Sequence, residues 1–306
     1  MNIFIKKIFI ASFSILSFLI IAIIIMMIHI GSWDEIALAD VQKREQIKQI
    51  TGQKIVFIGG SNLSYGMDSQ RVQDSLRITT YNMGIHAGFG LHFMLEEIEP
   101  YIQPNDILVI IPEYHQFSNY EGSGVLADLI IQDKRWNEIW LYKDWGTYPS
   151  YFCSKVYIPF ALKSMSGGIN KDPYADNPAG FNEKGDYILH LNQPRRTVTR
   201  MIAPAPSQKT LKKIIDKINK IKQQGVQVIF LPPCFQESSF EKSHENINQI
   251  QTDLITNDFP FNAPAERYSF NDTLFWNTAY HLTGTGRDIR TGYVIEDLKK
   301  QLKTSL

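Results

Sequence analysis

Apolar positions along the chain fall into three patterns. The first is a continuous run over residues 8–30 with no charged residue. At 1.5 Å per residue it is long enough to cross a hydrocarbon core of about 30 Å, and it predicts a membrane-spanning helix within residues 1–31. The second is a set of short apolar blocks cut off by glycine or proline. These are Lys54-Ile-Val-Phe-Ile-Gly-Gly, Ile78-Thr-Thr-Tyr-Asn, Asp106-Ile-Leu-Val-Ile-Ile-Pro and Val226-Gln-Val-Ile-Phe-Leu-Pro-Pro. Such blocks predict buried parallel strands, and the third, the most apolar, is expected at the centre of the sheet. The third pattern is helical. Val72 and Leu76 share a face, as do Leu91, Met94, Leu95 and Ile98. Leu211, Ile214, Ile215, Ile218 and Ile221 form another apolar face, between Ser207 as N-cap and Gly225 as stop. Further helices are expected over 240–255 and 287–302. Strand, helix, strand at these lengths is a βαβ unit, so the fold class is α/β with a parallel, doubly wound sheet.

Two stretches interrupt that alternation. In residues 32–53, Ile36, Val41, Ile47 and Ile50 recur in a polar context, which predicts a stalk helix, from Trp33 on, between the span and a domain of residues 54–306. Over about 113–206 the alternation is lost in an insertion carrying Trp136, Trp140, Tyr142, Trp145, Tyr148, Tyr151 and Phe152. It ends in an expected turn and edge strand over 180–190. Insertions after a sheet strand form lids or substrate walls, and the plainer reading is that most of these aromatics pack the insertion onto the domain.

Charge narrows the partners. Lysine plus arginine and aspartate plus glutamate number 31 each, and no basic tract follows the pattern of a phosphate backbone, which argues against nucleic acid. Lys6 and Lys7 precede the apolar run and Asp34 and Glu35 follow it, so the N-terminus is expected in the cytoplasm and the domain outside it. A cleaved signal peptide is the competing reading, because Ala37-Leu38-Ala39 has small residues at the right spacing. The run is longer than a usual signal core, however, and Ala37 lies well beyond it. Cys153 and Cys234 could pair outside the cytoplasm or stay as thiols, and the sequence leaves both open. The seven histidines show no metal-ligand spacing, and Gly84-Ile-His-Ala-Gly88 lacks the nucleotide-binding spacing, so no metal or cofactor is expected. Arg195, Arg196 and Arg200 could grip an anionic glycan or headgroup, or form a solvated face.

Candidate chemistry centres on Ser61. The glycine pair at 59 and 60 breaks the first strand and lifts Ser61 out at the carboxyl edge of the sheet, where open α/β sheets carry their sites. The same turn would also be unremarkable as a plain loop. A serine nucleophile needs a base, and His281, on the loop before the last helix, arrives at the right place for one.

Together these residues resemble the SGNH/GDSL hydrolase family. Gly59-Gly60-Ser61-Asn62 is similar to its nucleophile block with glycine in place of aspartate, Asn82-Met-Gly-Ile-His-Ala-Gly88 to its glycine block, and Asn277 through Gly286 to its final histidine block. The resemblance covers the chain from Lys54 onward. It implies a flavodoxin-like three-layer α/β/α sandwich and acyl-ester chemistry, with Ser61 as nucleophile and His281 as base. The family's aspartate, three residues before the histidine, is replaced by Thr278, which leaves Asn277 or Asp272 as the orienting group. Its Gly-x-Asn-Asp block is replaced by Ile111-Pro-Glu-Tyr-His-Gln116, in which Glu113 cannot donate while ionised. The implied oxyanion donors are the N–H groups of Ser61 and Gly88, or Gly84, with His115 or Gln116 as candidate side chains. Membrane-anchored relatives act on acyl groups of cell-envelope glycans. The implied function is therefore a serine esterase or O-acyltransferase acting on an acylated glycan or small acyl ester, with a membrane acyl-transfer protein as a candidate partner. A degenerate scaffold that binds glycan or protein without turnover is the alternative, and an anchored assembly factor is a third reading.

Overall fold

The computed structural model describes residues 3–29, 35–154, 173–174 and 177–304. The outer ends of the expected span, Trp33 at the head of the stalk, and parts of the insertion lie outside them. In chain order the helices are α1 (Ile3–His29), α2 (Glu35–Ile47), α3 (Ser61–Ser64), α4 (Ser69–Leu76), α5 (Gly90–Ile98), α6 (Gly124–Gln132), α7 (Tyr148–Phe152), α8 (Gln208–Gln223), α9 (Glu237–Lys242), α10 (His244–Thr256) and α11 (Gly284–Thr304). The strands are β1 (Lys54–Gly59), β2 (Thr79–Asn82), β3 (Ile107–Ile111), β4 (Gln227–Phe230), β5 (Phe235–Gln236) and β6 (Ser269–Phe270).

The four long apolar blocks pair in parallel in the order β2-β1-β3-β4, with Lys54 opposite Thr79, Ile55 opposite Ile107 and Ile107 opposite Gln227. Every residue of β1 and β3 is buried. Alternate side chains enter two separate apolar clusters. Val56, Ile58, Leu108 and Ile110 meet Leu91 and Leu95 of α5 and Leu211, Ile214 and Ile218 of α8. Ile55, Phe57, Val109 and Ile111 meet Val72 of α4 and Val294 and Leu298 of α11. Burial on both faces is why these strands read as continuous apolar runs rather than alternating ones. The short β5 and β6 pair with each other, apart from the main sheet.

α1 is apolar enough to span a bilayer, with a mean hydropathy of 2.1 over Phe4–Ile21 and none of that window buried in the fold. α2 departs from the expected stalk because it is docked. Lys43, 1 % exposed, sends Nζ to the carbonyls of Asn82 (3.1 Å), Gly185 (2.7 Å) and Gly84. Arg135 joins Asp40 of α2 (3.3 Å) to Glu97 of α5 (2.8 Å), and Arg44 bonds Asp133. A polar helix looks solvated in sequence, yet here its charges are matched by partners on other elements. Lys43 reaches the carboxyl end of β2, while Gln53, farther along, bonds the Asn105 carbonyl just before β3 (2.8 Å). Lys43 thus ties α2 to the carboxyl end of β2, while Arg44 directly and Asp40 through Arg135 tie it to Glu97 near the end of α5.

Where described, the insertion carries α6, α7 and short 3-10 turns, residues 194–206 have no regular structure, and the expected edge strand over 180–190 reduces to one antiparallel bridge, Phe181 to Tyr187. Many of its aromatics pack inward. Tyr142 and Phe152 are buried, and Tyr148 and Tyr151 both bond the Asp128 carboxylate, at 2.7 and 3.1 Å, whereas Trp136 and Trp140 are exposed.

Candidate active site

Ser61 sits where β1 ends because the two preceding positions admit no side chain. A Cβ on Gly59 would lie 2.2 Å from the Ile111 carbonyl oxygen, and one on Gly60 would lie 2.4 Å from Glu113 Oε1 and 2.6 Å from the Ala87 Cβ. Ser61 then opens α3, and the next residue fixes the turn. Asn62 Nδ2 donates to the Ile111 carbonyl (3.2 Å), while its Oδ1 and carbonyl accept from the fully buried Arg290 of α11, at 2.8 Å for Oδ1. The final helix thus locks the serine turn to the end of β3.

The Ser61 hydroxyl faces a cleft of about 210 Å³ lined also by His86, Gly88, Glu113, His115 and Ser123. Oγ donates to Glu113 Oε1 at 3.1 Å, and the Asn62 N–H donates to the same oxygen at 3.0 Å. Glu113 follows β3 and is 4 % exposed; its Oε2 lies 3.8 Å from His115 Nδ1. The Ser61 N–H, at the first position of α3, has no acceptor among the described residues.

His281 comes to the same edge through the loop between Phe275 and α11. Its Nδ1 meets Asn277 Oδ1 at 2.8 Å, its N–H donates to Thr278 Oγ1 at 3.1 Å, and its ring lies flat on Tyr65, with centroids 4.0 Å apart and planes 6° from parallel. With the Asn277 oxygen accepting, the ring is the Nδ1–H tautomer. Burial, then the neighbouring His190 and His86, pull His281 down to about 3, so its charged form is strongly disfavoured. Asn277 brings no charge to offset that. No hydrogen bond joins Ser61 to His281; the serine proton is directed at Glu113 instead.

Several expected roles differ in the structure. Asp272 does not orient His281, because its Oδ1 accepts from the Ser238 N–H at 3.0 Å, at the start of α9. The Gly88 N–H is taken by His86 Nδ1 (3.0 Å), the Gly84 N–H by Asn82 Oδ1 (2.8 Å), and the fully buried Gln116 amide points to the Ala87 carbonyl (3.3 Å). Of the expected oxyanion donors these three are occupied, and the Ser61 N–H is free. His115 lines the cleft and is partly exposed. The arginine cluster is also engaged. Arg195 caps the carbonyls of Phe275 and Asp272 (2.9 and 2.8 Å), and Arg196 lies over Trp276. Both cysteines are free: Cys153 is exposed, and Cys234 is buried with its thiol pushed up to about 11 by that burial.

Sequence reasoning weighed Glu113 only as an oxyanion donor and set it aside, and it passed over Arg290, Tyr65 and His190. Glu113 carried a usable signal, since it follows the central strand at the same sheet edge as Ser61. The others depend on contacts between distant segments. His190 bridges the carbonyls of Tyr65 and Leu282 (3.1 and 3.0 Å), and burial pulls it down to about 4. Comparison with protein-family models, with curated proteins and with solved structures returns no match, so the site is read from its own geometry.

Proposed function

We propose that the chain is a membrane-anchored, SGNH-like protein of flavodoxin-like three-layer architecture whose extracytoplasmic domain forms an acyl-enzyme on Ser61. In this reading Ser61 attacks an acyl ester carried by an envelope glycan or a small ester, and water or a sugar hydroxyl resolves the intermediate. The observation that carries it is the Ser61 hydroxyl, presented at the carboxyl edge of β1 into an open cleft, with a carboxylate accepting its proton and its own N–H unoccupied. A free N–H beside the nucleophile is the kind of donor that stabilises a developing oxyanion.

A second reading, a scaffold that binds without turnover, is favoured by the neutral, desolvated His281 and by the absence of its bond to Ser61. Fluorophosphonate labelling of the full chain in detergent separates the two. Labelling that disappears in Ser61→Ala supports acyl-ester chemistry. A folded wild-type chain that takes up no label, yet binds acylated glycan, supports the scaffold.

A further inference from the structure

We infer that Glu113 is the catalytic base of this site, serving Ser61 in a serine–carboxylate dyad; the inference rests on the acyl-ester reading of Ser61. Glu113 Oε1 is the acceptor of the Ser61 hydroxyl at 3.1 Å, within the reach required of a general base. His281 makes its side-chain hydrogen bond behind the ring, to Asn277, and is absent from the lining of the cleft that Ser61 and Glu113 share. The position of Glu113 is built rather than incidental. Gly60 is bare where a Cβ would meet its carboxylate, the Asn62 N–H fixes Oε1, and its own N–H is held by Gln116 Oε1 at 2.9 Å. Its other oxygen faces His115, whose partly exposed ring connects the carboxylate to solvent.

The step balances without a further reactant beyond the ester and its acceptor. As Oγ bonds to the acyl carbon, its proton passes to Glu113 Oε1 and the carbonyl oxygen becomes an oxyanion beside the Ser61 N–H. Collapse breaks the bond between the acyl carbon and the leaving alkoxide, which takes the proton from Glu113. Water or an acceptor hydroxyl then attacks the acyl-enzyme, giving its proton to Glu113, and Oγ leaves and recovers it. His281, packed on Tyr65 just after α3 and bonded to Asn277, acts as a positioning residue that ties its loop to the serine turn.

The test is the rate of fluorophosphonate labelling of the full chain in detergent across pH, with the fold checked by near-ultraviolet circular dichroism. Glu113→Gln keeps an oxygen for the Asn62 N–H but loses the base; it is expected to slow labelling by about 10²–10⁴-fold. His281→Gln is expected to slow it by less than about tenfold with the wild-type pH profile retained. Should Glu113→Gln fail to fold, Glu113→Asp, which withdraws the carboxylate by one methylene, is expected to fold and to slow labelling at least about tenfold. The reverse ranking, with His281→Gln abolishing labelling and Glu113→Gln or Glu113→Asp leaving it within about threefold, overturns the dyad and leaves the acyl-ester reading standing. A folded wild type that does not label overturns both.

Discussion

Ser61 and Gly60 act as one unit, because the space a Gly60 side chain would occupy is where Glu113 accepts the serine proton. Gly60→Ala is therefore expected to push the Glu113 carboxylate away, slowing fluorophosphonate labelling at least about tenfold and costing about 1–3 kcal/mol of stability in urea denaturation. His281 and His190 give the fold an acid sensitivity whose sign follows from their shifts. Both are depressed from the usual 6.5, to about 3 and about 4, so the unfolded chain binds more protons between those values and 6.5. Their contribution is complete above about pH 6.5 and is lost as pH falls through that window, at up to about 1.4 kcal/mol per pH unit for each. Urea midpoints at pH 7 and pH 5 measure it. Asn277→Asp places a charge behind Nδ1, raises His281, and is expected to shrink the loss. At this scale the sequence showed Ser61 and His281 through their places beside a strand end and a terminal helix. It did not show who accepts the serine proton, because that contact spans 52 positions and exists only since β1 and β3 are neighbours.

Among the elements, α2 departs furthest from its expected form. Its Lys43 satisfies three carbonyls at once, beside the strand end and the glycine loop, and burial pulls the ammonium down to about 7 against the opposing pull of Asp186. Lys43→Met leaves those carbonyls unpaired, and an expected loss of roughly 2–4 kcal/mol would appear as a lower midpoint in urea denaturation. The four strands and α8 were legible because apolar runs and a repeating apolar face record burial directly. The helix of α2 was legible too, but its docking and the form of the 180–190 segment were not, since they depend on paired charges and single contacts that leave no period in the sequence.

For the whole molecule, the order β2-β1-β3-β4 collects Ser61, the glycine loop and Glu113 at one edge, which the βαβ pattern foreshadowed, while the small β5–β6 pair had no comparable signal. The proposed topology makes its own prediction. A membrane-impermeant maleimide added to intact cells is expected to modify the exposed Cys153, with the buried Cys234 reacting only after denaturation. Protection of Cys153 until the cells are lysed would place the domain on the cytoplasmic side.

The docking of α2 bears on what the cleft can meet. The six peptide steps from His29 to Glu35 reach at most about 20 Å, and Lys43 of α2 is held at the Asn82 carbonyl, at the carboxyl end of β2. In the proposed topology, with α1 in a bilayer, the cleft would stay close to the lipid, and encounters would count ligands per unit area instead of per unit volume. A freely diffusing ester gains nothing from that confinement. An acyl group fixed to a surface-bound polymer or lipid would meet the cleft at a raised effective concentration, so the proposed site would favour tethered esters over free ones.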